Sequence, residues 1–138
     1  MSFREKSAWV TLIAIVLVFL FYFTHVPRLF DPDPGEWQLF VIGVAIAAFI
    51  VIEVLAQIVL YLRFPKDART PKDERERLID LRATRLAAYV YVIGTFLAIL
   101  TPHHGASGFA VGVFVLFAFV IAEIVNYATR IVLYRRGF

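Results

Sequence analysis

Glu53 and Glu123 stand where carboxylates are costly. Each lies well inside a long apolar run, toward the end of the run that is followed by basic residues. A charge at membrane depth costs at least ~2.5 kcal/mol on insertion scales, so each carboxylate needs a proton or a partner. On helices, Gly43, Ala47, Ile50, Glu53 and Gln57 recur at steps of three and four, as do Gly112, Leu116, Phe119, Glu123, Asn126 and Arg130. Both stripes are expected to face a bundle interior, with the small residues packing closely in one half and the polar residues meeting in the other. If the glutamates approach each other, like-charge repulsion should leave a proton on one of them. Arg130 either reaches a glutamate or snorkels to the interface. Glu53, Gln57, Glu123, Asn126 and Arg130 are thus candidates for a site that takes a proton, a cation or a small ligand. The competing reading is a hydrogen-bond network that only fixes helix register.

Other chemistries find less support. Ser2, Ser7 and Ser107 have no nucleophile-elbow context, and no phosphate loop is present. There are no cysteines, hence no disulfide framework and no thiolate metal site. His25, His103 and His104 fall in or beside two short turns, the first of which also carries Asp31, Asp33 and Glu36. Those residue types can ligate a metal or sense external pH, but their spacing matches no metal site, and solvated turn residues are the plainer reading. His25 lacks a second histidine at matching depth to share a haem. The expectation is a non-enzyme without cofactor or metal.

The elements that must position the glutamates come from hydropathy. Hydrophobic residues make up 61% of the chain, well above the soluble norm. Runs at 7–24, 37–62, 86–101 and 107–134 are long enough, or nearly so, to cross a bilayer as helix, which takes ~20 residues. The fold class expected is all-α: a polytopic membrane protein, one four-transmembrane-helix domain over 1–138. Arg4 and Lys6 before the first run imitate a signal peptide, but the run ends FYFTHVP without a small-x-small cleavage site, so it reads as a retained helix. Pro27, the Asp-Pro turn, Pro65 and Pro102 supply the breaks. Thirteen of the 14 basic residues fall at the two ends or in 63–85, leaving only Arg28 elsewhere. The positive-inside rule then places both termini and the segment 63–85 in the cytoplasm.

That segment is the one strongly charged stretch. Thr70 is expected to cap a helix with Pro71 at its first position, and no breaker follows until Thr101. One helix of about 29 residues, ~43 Å long, should result, with its first half outside the apolar slab. Leu78, Leu81 and Leu86 share one face beside Ile79, while Arg75, Glu76, Asp80 and Arg82 take the other. Asp73 and Arg77 are spaced for an ion pair worth ~0.3 kcal/mol. The second and fourth runs also resemble each other, ending IVLYLR and IVLYRR. A repeated two-helix unit would give a pseudo-twofold along the membrane normal, unless short apolar words recur by chance.

The stretch Asp73-Glu74-Arg75-Glu76-Arg77-Leu78-Ile79, followed by Ala83 and Ala87-Ala88-Tyr89, resembles a family of small prokaryotic four-helix membrane proteins. These carry a D-E-R-x-x-x-I segment before the third helix and are often encoded beside a helix-turn-helix regulator. The resemblance implies an antirepressor of the inner membrane that holds or releases the regulator, with no catalytic residues. Leu78, Ile79 and Leu81 would then be apolar anchors for the cytoplasmic regulator protein, and Arg75, Arg77 and Arg82 its rim. The expected partners are membrane lipid, that regulator and a second copy of the chain through Gly and Ala faces. The net charge of +3 suits orientation and lipid contact, with no direct nucleic-acid binding. Two alternatives stand beside this. One is a proton- or cation-coupled transporter on Glu53 and Glu123, although small multidrug transporters carry their key glutamate in the first helix, where this chain has none. The other is a non-catalytic scaffold subunit.

Overall fold

A computed structural model describes residues 2–25, 36–105 and 107–136. The elements are α1 (Phe3–His25), α2 (Glu36–Arg63), α3 (Pro65–Arg69), α4 (Glu74–Leu100), a 3-10 turn at Thr101–His104, and α5 (Gly108–Arg136). α1, α2, α4 with its turn, and α5 are each long and apolar enough to cross a membrane. The fold is an all-α four-helix bundle, and its spans are compatible with a multi-pass membrane protein.

Differences from the expected boundaries have local causes. α1 starts at Phe3 because Ser2 Oγ accepts from Glu5 N at 3.1 Å, capping the helix four residues earlier than hydropathy suggests. Pro65 ends α2 but also opens α3, since a proline suits a first helical turn as well as it blocks an interior one. Thr70 is therefore the C-cap of α3 and not the N-cap of α4. Asp73 holds the N-cap instead, its Oδ1 accepting from Glu76 N at 2.7 Å. That use of the carboxylate replaces the expected pairing with Arg77. Gly105 closes the turn before α5 at φ 85°, where a side chain would be strained, and its N–H donates to Pro102 O at 3.0 Å. The Asp-Pro turn lies outside the described residues.

The long helices lie side by side in the order α2, α1, α5, α4. A pseudo-twofold relating the α1–α2 and α4–α5 hairpins would make α2 touch α4 as α1 touches α5. Among the described residues it does not, so that expected symmetry is corrected to a row. The α4–α5 seam is the most extensive and is lined by small residues: Ala83, Ala87, Gly94 and Ala98 face Ala110, Ala118 and Ala122. At Gly94 an added Cβ would come within 2.6 Å of Ala118 Cβ, so the helices approach there as closely as their backbones allow. Gly43 and Gly112, expected to provide such an approach, are exposed with nothing within 4 Å. Ala47 and Ile50 are exposed too, because the packed face of α2 runs through Gln38, Ile42, Ala45, Phe49 and Glu53, offset around the helix. Ile15, Phe19, Tyr22 and Val120 form the buried cluster where α1 meets α5, with Phe49 of α2 5.7 Å from Phe19 ring to ring.

Both ends of the chain and the α3–α4 region gather at one end of the bundle. Arg4 pairs with Glu76 at 2.8 Å and donates to Thr70 O at 3.1 Å. Arg135 pairs with the buried Glu5 at 3.1 Å, and Lys6 lies 3.6 Å over the Phe64 ring. The Tyr61 hydroxyl accepts from Arg69 at 3.1 Å, tying α3 back to α2 and holding that guanidinium above its ordinary pKa. On α4 the expected grouping of Ile79 with the exposed leucines does not hold. Glu76, Ile79, Asp80 and Ala83 turn toward α1 and α5, while Leu78 and Leu81 are 47% and 55% exposed. Ile79 is fully buried, at 0%, and so is corrected from docking anchor to core residue.

Candidate functional site

The polar site begins between α1 and α2. Ser7 and Thr11 are one turn apart, as are Glu53 and Gln57, so each pair shares a helix face. Thr11 Oγ1 donates to Glu53 Oε1 at 2.5 Å, and Gln57 Nε2 donates to the same oxygen at 2.8 Å. Ser7 Oγ in turn donates to Gln57 Oε1 at 2.9 Å. One carboxylate oxygen is thus well supplied. The other, Glu53 Oε2, is buried and has no hydrogen-bond partner among the described residues. Along α2, Glu53 is about 15 Å from Arg63, which is deep within a slab ~30 Å thick. An unpaired acceptor at that depth is costly unless it carries a proton or meets a cation.

The second half of the site lies along α5. Asn126, only 7% exposed, donates to Glu123 Oε2 at 3.4 Å and accepts from Arg130 Nε at 3.1 Å. Arg130 extends to Asp80 of α4 at 3.2 Å, and Lys72 also pairs with Asp80. Arg130 therefore neither snorkels free nor grips a glutamate directly; it joins Glu123 to α4 by way of Asn126. Tyr127 stands between the halves. Its phenol lies in the electrostatic field of both Glu53 and Glu123, and the Arg130 guanidinium lies 5.3 Å from its ring centre.

A cavity of about 210 Å³ leads from the charged end toward this cluster. Arg4, Lys72, Asp80 and Arg130 line its mouth side, with Ser7 and Tyr127 at the polar cluster. Ser7, Thr11 and Tyr127 are the members that sequence reasoning missed. Their polar atoms are unremarkable in apolar helices, and only the four-residue spacing of Ser7 and Thr11 hints at a shared face.

The remaining candidates divide. Arg75, Arg77, Leu78, Leu81 and Arg82 lie on the exposed side of α4, apart from the polar cluster. His103 and His104 are exposed in the turn before α5, and the His25 ring stacks on Phe21 at 4.5 Å. Among the described residues no three histidines or carboxylates come together as a metal site. Asp31 and Asp33 lie outside those residues, as does the side chain of Glu36. The D-E-R-x-x-x-I segment has a structural account at both ends: Asp73 caps α4 and Ile79 is its first fully buried side chain, whereas Glu74 and Arg75 between them are exposed. No family model, curated protein or solved structure matches the chain.

Proposed function

We propose that this is a membrane-embedded signalling protein of antirepressor type. A proton or cation taken up at the Glu53–Glu123 cluster alters the exposed face of α4, and that face holds a cytoplasmic helix-turn-helix regulator. The observation that carries this reading is the run of bonds from Glu123 through Asn126 and Arg130 to Asp80. It gives the half-buried Glu123 carboxylate a physical connection to the segment that bears Leu78 and Leu81. The basic residues gathered at the same end support its placement in the cytoplasm. The apolar outer side of α2, including Gly43 and Ala47, leaves a surface for a second copy. A photocrosslinker at position 81 is expected to trap a helix-turn-helix protein in native membranes, and Leu78→Asp in that chain to abolish capture while it still inserts. Full retention of the regulator by Leu78→Asp contradicts the docking role.

The orphaned Glu53 Oε2 favours a second reading, a small proton- or cation-coupled transporter. In that case Glu53→Gln and Glu123→Gln should each stop substrate-driven proton movement in reconstituted vesicles. Uptake that is unchanged in both variants removes this reading and leaves the first untouched.

A further inference from the structure

We propose that the cavity between α1, α4 and α5 binds a phosphate-bearing anion. Three cationic side chains, Arg4, Lys72 and Arg130, line it together with one carboxylate, Asp80. Lys72 and Arg130 both converge on that carboxylate, and Arg4 is taken by Glu76 at 2.8 Å. Even with Glu76 counted, three cations face two carboxylates, so the cavity keeps a surplus positive charge. Arg4 and Arg130 have side chains only 26% and 24% exposed, so that surplus is partly shielded from water and acts at lower effective dielectric than on an open surface.

The donor set fits phosphate. Two guanidinium forks and one ammonium can engage several oxygens of a single tetrahedral anion, which a lone carboxylate guest cannot match. Tyr134 adds a phenol to the wall. The position fits as well. Arg4 precedes the apolar part of α1 and Arg130 lies in the last two turns of α5, so the cavity sits where a bilayer changes from acyl chain to headgroup. Either an anionic lipid headgroup or a soluble phosphate carries the required chemistry. A bound anion would compete with Asp80 and Asn126 for Arg130, which places the cavity in control of the link between Glu123 and α4. The binding itself requires only the cavity and holds whatever docks on α4.

The test uses the full chain in detergent micelles. Native mass spectrometry would follow retention of phosphatidylglycerol against phosphatidylcholine, and calorimetry would follow inorganic phosphate. Phosphatidylglycerol is expected to be retained preferentially, and Lys72→Gln or Arg4→Gln to weaken it about tenfold each, as loss of one charge-assisted bond implies. Arg75→Gln and Arg77→Gln remove the same charge from the exposed side of α4 and should change retention little. Competition by inorganic phosphate assigns the site to soluble phosphates; its failure to compete assigns the site to the lipid headgroup. Lys72 is on the rim, with a 41% exposed side chain, and carries the test should Arg4→Gln fail to assemble. Equal retention of the two lipids without phosphate binding overturns the proposal, as does an equal loss in the Arg75 and Arg77 variants.

Discussion

Ile79→Ala should destabilise the folded chain by about 2–5 kcal/mol, whereas Leu78→Ala beside it should stay within about 0.5 kcal/mol. The two side chains are similar in size and differ by one step around α4. That step carries Ile79 to full burial between α4 and its neighbours and leaves Leu78 nearly half exposed. Truncating Ile79 removes apolar contact and leaves a cavity beside Ala83, which has no side-chain freedom with which to refill it. Denaturant unfolding in micelles, followed by circular dichroism, reads the difference. Equal costs at the two positions would mean that α4 is rotated from the arrangement described. The pair also separates folding from docking: a regulator contact on the exposed face should respond to position 78 with stability unchanged.

Asp80→Ala should cost about 1–3 kcal/mol, and adding Arg130→Met should recover part of that loss. Asp80 receives both Arg130 and Lys72, so its removal leaves two cations without their carboxylate. Breaking a fully buried pair costs about 3–5 kcal/mol. Here both side chains of the Arg130 pair are about a quarter exposed, and water offsets some of the loss. Arg130→Met alone should cost less than Asp80→Ala, because Lys72 still neutralises the carboxylate. A double-mutant cycle read by unfolding should give a coupling of about 0.5–2 kcal/mol. Strict additivity would show that the contact contributes nothing, and the connection from Glu123 to α4 would then lose its last bond.

Much of the architecture was legible because it rests on local rules. Prolines at 27, 65 and 102 cannot continue a helix, and the runs between them are apolar over bilayer length. The Glu123–Asn126–Arg130 stripe was legible for the same reason, since three- and four-residue steps share a face on any helix. What stayed hidden depends on which faces meet. In 72–85 the leucines are exposed, as a docking face requires, but Glu76 and Asp80 turn inward with Ile79 because Arg4 and Arg130, distant in sequence, are waiting there. Ile79 and Leu78 could not be told apart by composition. The small-residue seam fell between α4 and α5 and not at Gly43 and Gly112, because alanine at four-residue spacing permits the same approach as glycine and is too common in apolar helices to stand out. Thr11 was invisible as a partner of Glu53 until the two helices were placed side by side.

The row of helices has a mechanical consequence. Among the described long helices α2 leans on α1, with the short α3 tied to its end, and its grip on α1 is polar in the half nearest the termini and aromatic in the other. Peeling it away breaks one seam, while displacing α1 or α5 breaks two. α2, at one end of the row, is thus hung like a door leaf, latched at Thr11 and Glu53, and opening that latch would leave the remaining three long helices standing as a frame.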